Sequence, residues 1–399
     1  MDASETSAAP AKRWALFSYG FRPMFLAAFA YALIAMAAWM AIRALGVMPL
    51  PTLPPQLWHG HEMLFGFIAA AIAGFLLTAV PSWTGTKGFG GWPLVALSAI
   101  WLCGRVAFAF AVDLPSWLVA TAELAFLPAL AVLIAFPLLR ARNRNTPLLI
   151  VIGAFWFADA TFLCSMALGD IALASKTLLA GIDIVLLLVT VIGGRIVPAF
   201  TANALRRRGI AAEVSSFRWL DTATIACMIL IAVGDAFAVS LPLAVLLAGI
   251  AAVLHAARLA GWQGIRSLRE PIVWILHLGY LWLPVGLALK AVFLGTGAAW
   301  AADWLHALTV GTAATMIVAV ITRASLGHTG RPLVVSQPVA FAYGILGAAA
   351  LVRAFATSLG AYREWAIWIA AALWVAAFAV LLARYTPILV RPRVDGRPG

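Results

Sequence analysis

The sequence predicts an all-α transmembrane helix bundle of about twelve spans, with both termini in the cytoplasm. Three observations carry this prediction. First, 64% of the 399 residues are apolar and 11% charged, against roughly 45–50% and ~25% in ordinary globular chains. Second, the apolar residues come in unalternating runs of about twenty, enough to cross a hydrocarbon core of ~30 Å as a helix. Third, basic residues gather in alternate short loops. With a mean hydropathy of +1.01, such a chain cannot cover its surface with polar groups, so its solvent is the lipid bilayer. About twelve crossings use about 240 residues and leave no room for a soluble domain.

The elements follow in chain order. Residues 1–13 read as a mobile cytoplasmic tail, 14–390 as one transmembrane domain and 391–399 as a second cytoplasmic tail. An aromatic lead-in from Trp14 to Phe25 precedes the first run, Met24 to Ile42, which is too long for a signal-peptide core and is read as a retained helix. Further runs lie near 61–80, 93–112, 117–138, 147–169, 171–201, 217–237, 240–260, 272–294, 303–322, 336–358 and 365–385. They are too long and too regular in their apolarity for barrel strands.

Lys87, Arg140, Arg142, Arg144, Arg206, Arg207, Arg208, Arg266, Arg269, Arg323 and Arg331 fall in even-numbered loops, and Arg391, Arg393 and Arg397 in the tail. The odd-numbered loops hold mainly Asp113, Asp170 and Asp303, with Arg43 and Arg363 as exceptions. The formal charge of +12 is therefore a topology signal, and no nucleic-acid partner is expected. Trp58, Trp83, Trp92, Trp300, Trp304 and Trp365 mark run ends, where amphipathic rings belong. Cys103, Cys164 and Cys227 sit singly inside apolar runs and are expected to be buried. There is no internal repeat of the kind that marks many transporters.

Histidines in such a chain call for explanation. Trp58-His59-Gly60-His61-Glu62 opens the second span and Trp304-Leu305-His306 the tenth, both on the outer side. Imidazoles are preferred ligands of haem iron and copper, often between facing helices. On a regular helix His59 and His61 diverge; on a loop-to-helix junction both can turn to one centre, which His306 would complete. Interfacial histidines bonded to water and headgroups are the plainer alternative. Below His306, Thr309, Thr312, Thr315 and Met316 recur at helical spacing, as the wall of a small cavity or as packing. His277 lies inside the ninth span, where Gly279 would let a flat macrocycle approach. His328 sits in the loop after the tenth. Arg195, between Gly193-Gly194 and Pro198, is an anion-site candidate, for instance for a haem propionate, or a snorkelling arginine. His255, beside Arg258, is expected to reach the headgroups.

Buried acids are equally costly. Asp159, Asp183 and Glu123 lie inside spans, so each is neutral, paired or on a wet path, with Lys176 and Lys290 as partners to consider.

These same stretches resemble the NnrS family of bacterial membrane proteins. The resemblance rests on Phe21-Arg22-Pro23-Met24-Phe25, Trp58-His59-Gly60-His61-Glu62-Met63-Leu64-Phe65-Gly66-Phe67, Gly193-Gly194-Arg195-Ile196-Val197-Pro198-Ala199-Phe200-Thr201, His277-Leu278-Gly279-Tyr280-Leu281-Trp282 and the block from His306 to Thr322-Arg323 and His328-Thr329-Gly330-Arg331-Pro332. Met24 stands where a second aromatic is expected. The resemblance implies haem b and copper, a tie to nitric oxide metabolism and denitrification, and a place in the bacterial inner membrane. It implicates His59, His61, Glu62, Arg195, His277, His306, Arg323 and His328, without saying which histidine serves which metal.

The function expected is nitric oxide consumption by reduction to nitrous oxide, with His59, His61 and His306 on metal, Glu62 delivering protons, and an electron donor such as a quinol or cytochrome. The alternatives are a haem-based sensor or sink without turnover, and a transporter of metal or small anions.

Overall fold

The computed structural model describes residues 15–46, 53–211 and 213–397; the expected tail of residues 1–13 lies outside them, as do residues 398–399. Among the described residues the chain is helical, without strands, and twelve helices are long and apolar enough to span a membrane. We number them α1 (Phe21–Leu45), α2 (Pro55–Thr84), α3 (Trp92–Ala109), α4 (Ser116–Arg140), α5 (Leu148–Ala167), α6 (Ile171–Arg207), α7 (Arg218–Phe237), α8 (Leu241–Gly261), α9 (Pro271–Thr296), α10 (Ala299–His328), α11 (Gln337–Ala354) and α12 (Ala356–Val390). Each expected run corresponds to one helix. α2, α6, α10 and α12 extend well past their apolar runs, because helix continues through polar residues that a hydropathy reading discards.

α2, α9 and α10 form the interior, and the other spans surround them. α1 packs on α2 and α12, α5 on α6, α8 and α10 on α9, and α11 on α12. Without a hydrophobic drive between helices in lipid, close approach depends on small residues. The α9–α10 interface shows this: a Cβ on Gly286 would lie 2.6 Å from Leu308, one on Gly311 2.5 Å from Trp282, and one on Gly279 3.0 Å from Met316. Met316 therefore fills the space beside Gly279 that the sequence reading reserved for a macrocycle.

Three spans widen locally to π-helix, at Glu62–Ile68 in α2, Val189–Gly193 in α6 and Ala307–Ala314 in α10. Such turns loosen the backbone ladder and often mark functional positions. The carbonyl of Gly66 accepts a bond from Trp101 Nε1 at 3.1 Å, and Thr315 Oγ1 donates to the Val310 carbonyl at 3.2 Å. α4 breaks at Ala125, where Trp156 Nε1 donates to the Leu124 carbonyl at 3.0 Å.

The cysteine expectation fails in part: Cys227 is buried, but Cys103 and Cys164 are exposed. A small apolar side chain costs little on a face turned to lipid. The C-terminal segment packs against the α10–α11 connection, with Arg393 Nη1 donating to the His328 carbonyl at 2.7 Å and Val394 N to that of Thr329 at 3.2 Å.

Candidate functional site

Pro55 starts α2 at its first helical position, so Pro55–His61 is a regular helix rather than a loop junction. Two residues apart on such a helix means roughly 200° of rotation. His59 and His61 therefore face opposite ways, and the three outer imidazoles do not meet at one centre.

His59 faces a cavity of about 530 Å³ that His306 also lines. Trp39 stacks on the His59 ring at 4.8 Å between centroids and fixes its plane. His59 Nδ1 is buried and has no hydrogen-bond partner among the described residues. Met36 and Met63 add thioethers to the lining, and Thr309 a hydroxyl. Thr312 and Thr315 are buried away from the cavity, because the π-turn breaks the 3.6-residue register that would align them with Thr309.

Arg43, Arg353 and Arg363 stand on the cavity wall. Arg43 pairs with Glu364, and Arg353 Nη1 donates to Asp303 Oδ1 at 2.6 Å, whose Oδ2 accepts from the Thr357 amide at 2.8 Å. Two of these arginines were the exceptions to the loop-charge pattern. Their departure from that pattern was the available signal for this cationic rim, which sequence reasoning did not use.

His61 points instead into a buried polar cluster. Its Nδ1 lies 3.0 Å from Glu62 Oε1 and its Nε2 3.0 Å from Asp159 Oδ1. Arg105 Nη1 donates to Glu62 Oε1 at 2.7 Å, and Arg105 Nη2 to Glu123. Phe108 and Phe162 stack on the two faces of the His61 ring, at 4.2 and 4.8 Å. The cluster joins α2, α3, α4 and α5. Held by His61 and Arg105, the Glu62 carboxylate does not line the cavity, so its expected delivery of protons there has no contact behind it. Sequence reasoning missed Arg105, although an arginine inside an apolar run is itself a signal.

The remaining candidates lie elsewhere. His306 and His328 are roughly 33 Å apart along α10, so they belong to opposite membrane faces. His328 stands against Tyr19 and Phe21, with ring centroids at 6.1 and 5.7 Å. His277 Nε2 is 2.8 Å from Thr201 Oγ1 near the same face. Arg323 lies 3.7 Å over the Phe200 ring. Arg195 is exposed and donates to Asn145 Oδ1 at 2.8 Å, so it snorkels rather than lining the cavity.

Arg258 takes the place that the paired glycines leave. A Cβ on Gly194 would lie 1.8 Å from Arg258 Nη2. Its guanidinium bonds Tyr280 Oη at 2.9 Å and Asp221 at 2.7 Å. His255 is buried, not at the headgroups, with Nδ1 2.7 Å from the same Tyr280 hydroxyl. Of the buried acids, Asp159 and Glu123 are paired as above. Asp183 lies beside Asp235, which pairs with Lys290; Lys176 is exposed.

The site thus consists of two imidazoles on one cavity with a cationic rim, and a separate ion cluster behind α2. No curated protein matches the chain. The model of one family, described as NnrS protein, does match residues 15–393 of the 399, and with the twelve-span bundle around these motifs the chain belongs to the NnrS family, a membership consistent with a role related to nitric oxide.

Proposed function

We propose that this chain is a haem-binding protein of the bacterial plasma membrane that consumes nitric oxide by reducing it to nitrous oxide. The observation that carries the reading is the cavity of about 530 Å³ shared by His59 and His306. Its volume lies within the range of about 300–1,000 Å³ usual for small-molecule sites. The residues present fit haem b: His59 and His306 would hold the iron, and Arg43, Arg353 and Arg363 would receive the propionates with paired N–H donors. His59 Nδ1, buried without a partner, is the kind of orphaned donor or acceptor that a ligand satisfies. A copper ion would find imidazole together with the thioethers of Met36 and Met63 on the same walls.

When bound, haem supplies a reducible iron that takes nitric oxide as ligand. The chain's own residues do the rest. Trp39 holds the plane of His59, while Phe67, Ile182 and Ala314 give the cavity lining apolar surface. An apolar pocket of about 100 Å³ shares Ile68 with the cavity. Such a pocket offers an uncharged, lipid-soluble diatomic gas an apolar place beside the cavity. Confining two such molecules replaces much of the entropic cost of their encounter. Two electrons from a quinol or cytochrome donor and two protons from the aqueous phase balance the step, in which two nitric oxide molecules give one nitrous oxide and one water.

The test is purified protein kept reduced by an electron donor in excess and given excess nitric oxide. Sustained release of nitrous oxide beyond one equivalent is expected. Stoichiometric uptake alone would make the protein a sink or sensor, and an unchanged visible spectrum would overturn the reading altogether.

A further inference from the structure

We propose that His61, Asp159 and Glu123 form a binding site for one divalent cation of the zinc(II) or manganese(II) type, separate from the His59–His306 cavity. One ligand atom from each of the three lies within 4.8 Å of the other two, and all three residues are buried. Ligand atoms on a tetrahedral zinc are roughly 3.4 Å apart, so small side-chain rotations close the set.

The hydrogen bonding points the same way. A neutral imidazole carries one proton, yet both nitrogens of His61 face carboxylates at 3.0 Å. With Nδ1–H donating to Glu62, Nε2 presents a lone pair to Asp159, and that contact is repulsive unless a cation or a carboxyl proton lies between them. The outer carboxylate that orients a ligating imidazole is a recurring feature of metal sites, and Glu62 has that position. Glu123 supplies a second indication. It is 3% exposed, one of its oxygens is bonded to Arg105, and Oε1 has no hydrogen-bond partner among the described residues.

Charge is consistent with a cation. When ionised, Glu62, Glu123 and Asp159 bring three negative charges, and Arg105 returns one. Even a protonated His61 leaves one negative charge in excess inside the membrane, where an uncompensated charge is expensive. A divalent cation with neutral His61 brings the cluster to zero. The donor set of one imidazole nitrogen and two carboxylate oxygens, without sulfur, suits borderline and hard divalent ions and not copper(I). Stacked between Phe108 and Phe162, the imidazole is already held in one orientation.

The experiment uses the full-length protein in detergent, stripped with a chelator and titrated with cobalt(II) under its visible d–d bands. Zinc(II) then serves as competitor, and elemental analysis gives the stoichiometry. One cobalt per chain is expected, displaced by zinc. Binding should weaken at least tenfold in Asp159→Asn and in Glu123→Gln and stay unchanged in His59→Ala. That last variant separates this site from the cavity, so either reading can fail alone. No cobalt or zinc bound by folded wild-type protein at millimolar metal would overturn the proposal and leave the cluster neutralised by protons. Undiminished binding in the Asp159→Asn, Glu123→Gln double variant, or loss of binding in His59→Ala, would overturn it as well.

Discussion

Arg105 shows at the scale of one residue how the chain tolerates charge in lipid. Its guanidinium spans Glu62 and Glu123, acids from two different helices, and all three are buried. Removing one partner of a buried pair strands the other and costs about 3–5 kcal/mol. Arg105→Met should therefore lower the thermal unfolding midpoint in detergent sharply. Arg105→Lys should recover only part of the loss, since an ammonium cannot reproduce the two-pronged fit. Gly194 makes a second test. An added methyl would strike Arg258 Nη2 at 1.8 Å, so Gly194→Ala should cost about 1–3 kcal/mol through overpacking. The same loss should be read in unfolding measurements, while Gly153→Ala, with open space around it, should be close to neutral. Residue identity alone showed that Arg195, His255 and His277 were unusual in lipid. It did not show their partners, because Tyr280 and Thr201 come from other helices and Asn145 from the α4–α5 connection.

Helix as an element decides what the histidines can do. The motif Trp58-His59-Gly60-His61-Glu62 leaves open whether a helix or a junction holds it, and only the junction lets both imidazoles meet. Pro55 begins the helix early enough to settle the matter, and one motif then serves two sites on opposite walls of α2. The apolar runs made the spans legible, since no other element satisfies the backbone in hydrocarbon. The π-turns were not legible, because nothing in local composition distinguishes one widened turn. Ala307–Ala314 sits directly after His306. Deleting Val310 should restore α-geometry, shorten the outer end of α10 and displace His306 relative to the cavity wall. The shortened protein should remain monodisperse on size exclusion but lose most of its bound cofactor absorbance per chain. Full absorbance would show that the widened turn is dispensable.

For the whole molecule, an even number of spans puts both ends on one side of the membrane. With the observed helix ends, the connections on the side of the termini hold Lys87, Arg142, Arg144, Arg208, Arg266, Arg269 and Arg331, and the opposite connections hold none of the chain's basic residues. The positive-inside rule then predicts a cytoplasmic C-terminus, which a pair of sidedness reporters fused after the last residue checks: activity only in the cytoplasmic reporter is expected. That orientation would place His59 and His306 near the outer face, within reach of gas dissolved in the bilayer. The central claim is that these two imidazoles share one haem. Its most direct measurement is the reduced-minus-oxidised visible spectrum of the purified protein beside His59→Ala and His306→Ala. Haem b bands in the wild type, lost or strongly shifted in both variants while His277→Ala and His328→Ala retain them, is the predicted result. Full wild-type bands in both cavity variants would contradict it.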